Sequence, residues 1–476
     1  MSSSMFWKIF TYYLPFFYTN VFGLTLGDAA MLLLITKLWD AVYDTFIGVA
    51  ADRTETRWGK YRPYILWVAI PFAVVGVLTF TAPDFDAYTT KLVYAYVTYI
   101  LMMMVYSTLN VPYGAMLGVL SADPQEKTVF SSFRMFFAYG GSFLSIAIFE
   151  PLCRAFGGSV SDAANVAKDV QAGAWQNTMI VISSICAILF FLCFFMTKEN
   201  VKPIKEEKSE GSSIGNDIKS LLKNVGWWVL LGAGLASVFF NSIRGGAAAY
   251  FFKDYLGIYD TTLIAAASLM LSCAVFLSVG EISNMIGVVL AVPVSARFGK
   301  KWTYVGAMII TTLLSVAFYY IPTTTGGFWT MLILQIAISA CAGITFPLLW
   351  SMFADVADWS EYTNGHSSTG LIFSSNSMAQ KFGGAFGSAL VLWLLAAFDY
   401  KTPDALEQAG IAVEGFVQSD TAKTGLNLLM SWIPAATSLI AAAVAFFYPL
   451  SDDRVAEIAK ELEGRRAESQ DNIKEA

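Results

Sequence analysis

Asp40 and Asp44 stand four residues apart in the stretch KLWDAVYD, within a segment otherwise apolar enough for a lipid bilayer. At i and i+4 of a helix their carboxylates share one face. A charge inside a bilayer costs about 2.5–3.5 kcal/mol or more, so such residues face a bundle interior or a water-filled cavity. Two anions on one face repel, which raises the proton affinity of at least one unless a cation lies between them. The pair can therefore hold H+ or offer hard oxygen ligands to an alkali cation. The competing assignment is a fixed ion pair with Lys37, which would neutralise one acid and leave the other in need of a partner. Two more charges fall in apolar segments, Arg134 and Lys381. The planar fork of Arg134 can bracket two hydroxyls or one carboxylate, unless it snorkels to a membrane face. Asp355, Asp358 and Glu361 recur at three-residue spacing and make one helical face acidic, while Arg53, Arg57, Lys60, Arg62 and Lys127 are basic loop residues.

Other chemistries lose their components. His366 is the single histidine and lies in a polar loop, so neither a Ser-His-Asp triad nor a histidine-based zinc site can be assembled. The five cysteines fall mostly in apolar blocks without a Cys-x-x-Cys spacing and read as reduced, buried thiols. No nucleophile–base pair is visible, and an enzyme is not expected.

The elements that must position these charges are membrane helices. The chain has 476 residues, is 56% hydrophobic and only 14% charged, with mean hydropathy +0.57. A soluble domain carries roughly a quarter charged residues. Apolar blocks of about 20 residues, the length that crosses a hydrocarbon core, give an all-α membrane protein with twelve spans: 5–25, 29–51, 64–82, 92–119, 129–151, 176–197, 226–252, 262–296, 303–322, 328–353, 367–398 and 425–449. The first block lacks a basic leader and a small-residue cleavage site and reads as a membrane helix. Block 262–296 is too long for one straight span, and a break is expected at SVGEISN, after a surface helix before Gly280.

With the 52–63 loop placed in the cytoplasm, lysines and arginines favour inside loops and tail over outside loops by about three to one, which puts both termini inside. The polar, charged stretch 198–225 reads as a cytoplasmic linker between an N-terminal six-helix bundle, 1–197, and a C-terminal one, 226–449, with a cytoplasmic tail, 450–476, as a short amphipathic or frayed helix. The halves echo each other: GVAADRTETRWGKYRPY follows the second span and AVPVSARFGKKWTYVG the eighth. Duplicated halves with a site between them at mid-membrane are transporter architecture.

The ordered set WDAVYD, ADRTETRWGKYRPYILW, NVPYGAM, SADPQEK seven residues before Arg134, IRGGAAAYFFKDYLG, and ADVADWSEY followed by QKFGGAFG resembles the glycoside–pentoside–hexuronide:cation symporters, the melibiose permease family of the major facilitator superfamily. The resemblance covers nearly the whole chain. It implies two pseudo-symmetric six-helix bundles and sugar import with H+, Na+ or Li+ by alternating access. Carried over by position, it implies a cation site of Asp40, Asp44, Ser107 and Asn110. Tyr43 replaces an asparagine ligand, and Asn110 an aspartate shared by cation and sugar. Fewer strong oxygen ligands favour H+ over Na+. The implied substrate residues are Asn110, Arg134, Phe346, Ser377, Gln380 and Lys381, with Phe346 in place of a cavity tryptophan. A cytoplasmic gate of Arg57, Lys60 and Lys127 against Asp355, Asp358 and Glu361 is implied to latch the inner mouth while the cavity faces out. The family's first-helix aspartate has no counterpart, because residues 1–27 contain no acid. Either the chain's start is placed late or the sugar is held without that carboxylate. Arg244 has no assigned role; hydrogen-bonded packing and substrate contact both fit it.

The expected protein is thus a cation-coupled sugar or glycoside importer of the inner membrane. It is expected to be monomeric, to lie in membrane lipid without nucleic acid, and to need no cofactor beyond the coupling ion, H+ or Na+. Lipid or lysophospholipid transport on the same fold and a transporter-like sugar sensor are the alternatives.

Overall fold

The computed structural model describes residues 1–54, 56–120, 124–160, 166–199, 221–256, 273–364, 369–413, 416–458 and 460–461. The linker core 200–220 and the tail beyond 461 therefore lie outside the described residues.

Among the described residues there are twelve helical spans. In order they are α1 (Ser2–Tyr12, extended by Leu14–Phe16 and a π-helical turn Phe17–Val21), α2 (Leu26–Arg53), α3 (Arg62–Thr79), α4 (Tyr88–Leu120), α5 (Pro124–Ala155) and α6 (Lys168–Met196). The second set is α7 (Val225–Phe251, with a π-helical turn Phe252–Leu256), α8 (Cys273–Phe298), α9 (Lys300–Tyr319), α10 (Thr325–Asn364), α11 (Thr369–Ala397) and α12 (Asp420–Met430 and Trp432–Phe446). Ten of these are long and apolar enough to cross a membrane. The other two are α1, interrupted near Pro15, and α2, which carries Lys37, Asp40 and Asp44.

One expectation fails here. α8 runs unbroken from Cys273 to Phe298, straight through SVGEISN, and residues 257–272 lie outside the described set. Gly280 does not end the helix. A Cβ there would meet the Gln335 side chain of α10 at 2.7 Å, and one at Gly287 would strike the Ala340 carbonyl. The glycines let α8 and α10 approach closely, as small residues do between membrane helices.

Packing follows the repeat. α2 lies on α4 and α8 on α10; α3 lies on α6 and α9 on α12; α1 lies on α5 and α7 on α11. The halves meet along α2–α11 and α5–α8. Interior prolines at 112 and 347 fall at matching places in α4 and α10. Neighbouring helices make such interruptions tolerable at membrane depth.

The echoed Gly-Lys turns fold alike. Gly59 has φ +111° and Gly299 φ +80°, conformations open to glycine and strained for other residues. Each lies against a carboxylate from the chain just after its half's sixth helix. Glu199 accepts the backbone N–H groups of Lys60, Tyr61 and Arg62 at 2.7–2.8 Å, satisfying the free donors at the start of α3. Asp452 stands at the start of α9 in the same way, with the Lys300 N–H at 3.5 Å. Arg62 then donates to the Phe194 carbonyl (2.7 Å) and Lys301 to the Tyr448 carbonyl (2.9 Å).

Candidate functional site

α2 carries Asp40 and Asp44 on the face that meets α4 and α11. Asp40 is 3% exposed. The Lys381 ammonium of α11 donates to Asp40 Oδ2 at 3.0 Å and also to Asp44 Oδ2, while the Ser107 hydroxyl of α4 donates to Asp40 Oδ1. The two aspartates thus share one ammonium. Asp44 Oδ1 is buried with no hydrogen-bond partner among the described residues. Expected as a substrate residue, Lys381 occupies the ground between the carboxylates.

The competing assignment for Lys37 fails. Lys37 reaches α11 instead, donating to the Gly384 carbonyl at 3.2 Å and the Ser388 hydroxyl at 3.4 Å, with its ammonium 5.8 Å from the centre of the Trp7 ring. A lysine stem three residues before Asp40 points across the α2–α11 seam, and the ammonium that neutralises Asp40 comes from the other half. Tyr43 also departs from a ligand role: its hydroxyl pairs with the Thr108 hydroxyl at 3.1 Å.

Beside this cluster a cavity of about 370 Å³ opens between the halves. Asn110, Phe346 and Gln380 line it as the sequence leads one to expect, and the Gln380 amide nitrogen is buried without a partner among the described residues. Trp7, Tyr12, Tyr106, Tyr139, Asn241 and Asn284 line it as well. Flat rings with amide groups between them suit a polyhydroxylated ligand, whose apolar faces stack and whose hydroxyls bond.

Arg134 does not line the cavity. Its guanidinium lies over the Tyr113 ring, 5.0 Å from the centroid. The side chains of Ser377, Lys127 and Glu361 lie outside the described residues. Asp355 pairs with Lys300 at 2.7 Å, a partner from its own half. Arg57 lies over the Trp58 ring at 4.5 Å and the Lys60 ammonium over Tyr61 at 5.1 Å.

Sequence reasoning passed over two charges altogether. Lys8 of α1 donates to Glu281 of α8 at 2.6 Å, and Tyr12 donates to the same carboxylate oxygen at 3.1 Å. The signal was available: an ionisable residue at membrane depth is a functional candidate by default, but Glu281 was read as part of a helix break. Arg244, also buried, donates from Nε (3.1 Å) and Nη2 (2.8 Å) to the Gln335 side-chain carbonyl and from Nη1 to the Met430 carbonyl, with its guanidinium over Phe318 at 4.7 Å.

At one end of the cavity the halves are bonded together. Thr19 and Tyr250 share a hydroxyl contact at 2.7 Å, Lys253 donates to Asn20 at 2.9 Å, and Tyr400 donates to Asn20 at 3.4 Å. Lys168 reaches Asp404 at 2.6 Å.

Comparison with known proteins agrees with this architecture. A family model described as MFS/sugar transport protein matches residues 1–452. The "putative glycoside/cation symporter YagG" of Escherichia coli K12 is 33% identical over 470 residues, covering 99% of this chain and 94% of its own. The isoprimeverose transporter of Lactiplantibacillus pentosus is 30% identical over 442 residues, covering 92% and 84%. In fold, the inward open xylose transporter XylE from E. coli aligns with a TM-score of 0.60 at 14% identity, covering 96% of this chain and 98% of its own. With a twelve-helix, two-bundle architecture and a family match over nearly its whole length, the chain belongs to the MFS/sugar transport protein family and is a multi-pass membrane transporter rather than an enzyme.

Proposed function

We propose that this protein carries an uncharged or acidic sugar or glycoside across the inner membrane by symport with a monovalent cation, H+ in preference to Na+. The observation that carries the reading is the buried pair Asp40–Asp44 with Ser107 and the single ammonium of Lys381, set beside an aromatic and amide-lined cavity. The names of the relatives, a glycoside/cation symporter and an isoprimeverose transporter, agree with it.

Lys381 acts as an internal cation in this arrangement. Two carboxylates repel, and the ammonium relieves them while no coupling ion is present. When H+ or an alkali ion loads, one carboxylate is neutralised and Lys381 is released toward Gln380 and the cavity. Cation and sugar then load together. H+ is favoured because Asp40, Asp44 and Ser107 gather few oxygens and Tyr43 is engaged by Thr108. A proton needs one oxygen, whereas an alkali ion needs a shell of them.

The charge bias of the loops supports a cytoplasmic location for both termini. The bonded end is then the outer mouth, and the cavity opens inward, with 198–225 linking two six-helix bundles. In the outward-facing half of the cycle, Asp355 and Asp358, with Glu361, exchange partners toward Arg57, Lys60 and Lys127 of the other bundle and close the inner mouth. Arg134, over Tyr113 here, swings to the sugar in that state.

The test is uptake of radiolabelled glycosides into membrane vesicles under imposed H+ or Na+ gradients. Uptake raised by an inward H+ gradient and abolished by a protonophore is expected. Equal uptake with and without any gradient would contradict symport.

A further inference from the structure

Lys8 and Glu281 form a second charged pair, separate from the Asp40 cluster and joining opposite halves. Glu281 lies in the first half of α8 and is 3% exposed. One carboxylate oxygen takes both the Lys8 ammonium (2.6 Å) and the Tyr12 hydroxyl (3.1 Å); the ammonium also bonds the Tyr12 oxygen at 3.2 Å and lies over its ring. The other oxygen is buried with no hydrogen-bond partner among the described residues. Lys8 lines the central cavity, and Glu281 lines a side chamber of about 40 Å³ that shares Tyr12, Asn241 and Asn284 with it. That is room for one hydroxyl-bearing group.

Charge decides what such a wall accepts. Glu281 cancels the Lys8 ammonium. The other cavity-lining ammonium, Lys37, is held by Gly384 and Ser388 and stands one helical turn from Asp40, in the cluster where two carboxylates share one lysine. Arg244, on the chamber wall, gives three of its N–H groups, one from each nitrogen, to the Gln335 side-chain carbonyl and the Met430 carbonyl. A substrate carboxylate entering beside Lys8 would be set against the Glu281 carboxylate in a site of low dielectric, where like charges repel strongly. A hydroxyl would instead donate to the open oxygen and relieve an otherwise unmatched acceptor.

We propose that Lys8 and Glu281 set the charge class of the substrate, selecting an uncharged glycoside and rejecting a uronide, with one sugar hydroxyl received by Glu281 in the side chamber. The inference rests on the sugar-transport reading above and narrows it. Both residues are specificity determinants, outside the coupling-ion cluster.

The experiment measures uptake by the full chain in vesicles of three uncharged glycosides (isoprimeverose, methyl β-D-xyloside and melibiose) and of methyl β-D-glucuronide. The wild type is expected to take up at least one uncharged glycoside in preference to the glucuronide. Glu281→Gln keeps the shape but frees the Lys8 charge; it should lose uncharged uptake by about tenfold or more and gain glucuronide uptake, inverting the preference. The exchanged variant Lys8→Glu with Glu281→Lys keeps an ion pair of reversed sense, and size-exclusion profiles monitor its folding. A mere tie between halves would be restored by the exchange, whereas a substrate wall would not, so uncharged uptake should stay about tenfold down. A Glu281→Gln protein with unchanged preference, a wild type that prefers the glucuronide, or full recovery in the exchanged variant each overturns the proposal. A wild type that takes up none of the four overturns the sugar-transport reading itself.

Discussion

Where α1, α7 and α11 converge, polar bonds cross from one half of the molecule to the other: Asn20 to Lys253, Thr19 to Tyr250, Lys168 to Asp404. At the opposite end the corresponding bonds seen among the described residues stay at home. Glu199 serves the start of α3, Asp452 the start of α9, and Lys300 holds Asp355, each within its own half. The lesson is mechanical. On the proposed alternating-access cycle, carboxylates at helix starts hold each half together as a unit, while the bonds across the other mouth set which way the two halves tilt. Alternating access then requires breaking a few contacts at one end without disturbing the caps at the other.

The comparison breaks most severely at the caps. Gly59→Ala would force a side chain into a positive-φ position at a cost of about 1–3 kcal/mol, and it would push the Glu199 carboxylate off three backbone donors. The expected outcome is a protein that accumulates poorly in the membrane and melts several degrees lower in a thermal shift assay. Gly299→Ala should do the same more mildly, because Asp452 makes a single long bond there. Equal wild-type melting in both variants would show that the carboxylate caps do not hold the halves together.

Next comes the bonded mouth. Lys253 is part-buried, donates to Asn20 across the mouth and lies 3.5 Å from Asp254 of its own half. The bond to Asn20 is the one lost when the mouth opens, and a hydrogen bond from a charged donor contributes about 1.5–3 kcal/mol, which moves a two-state equilibrium by roughly tenfold or more. Lys253→Met should therefore open this mouth, seen as faster alkylation of a cysteine placed at Ser142 in the cavity by an impermeant reagent added on that side. Fold and melting should change little. Labelling as slow as in the parent would remove Lys253 from the mouth's closure.

The smallest effect belongs to Asp404→Asn at the same mouth. Its partner Lys168 is nearly half exposed, and an exposed pair contributes about 0–1 kcal/mol. Alkylation should rise less than threefold and should approach the parent rate in high salt, where exposed charges are screened.

Much of this molecule is legible in its sequence because lipid imposes length. Any span must present about 20 apolar residues, so the twelve helices show as blocks, and the echoed Gly-Lys turns show as repeats. What hides is the partner of each charge. Spacing along α2 puts Asp40 and Asp44 on one face, yet nothing in that spacing says that Lys381, more than 300 residues away, arrives between them while Lys37 turns to the α11 backbone. Glu281 misleads for the opposite reason. Beside Gly280 and Asn284 its polarity imitates a turn, and the Lys8 ammonium that makes it affordable inside a helix belongs to α1 of the other half. Asp355 likewise shows its acidic face in sequence but not its same-half partner Lys300.

The central claim is that the acids of α2 couple cation to sugar, and separating accumulation from exchange tests it most directly. Vesicles carrying Asp40→Asn or Asp44→Asn would be assayed in parallel for gradient-driven accumulation and for exchange of labelled against unlabelled glycoside. The account predicts that accumulation falls to the equilibrium level in both variants while exchange continues, since binding and tilting of the halves survive without the ion. Accumulation at the wild-type level in both variants would contradict it.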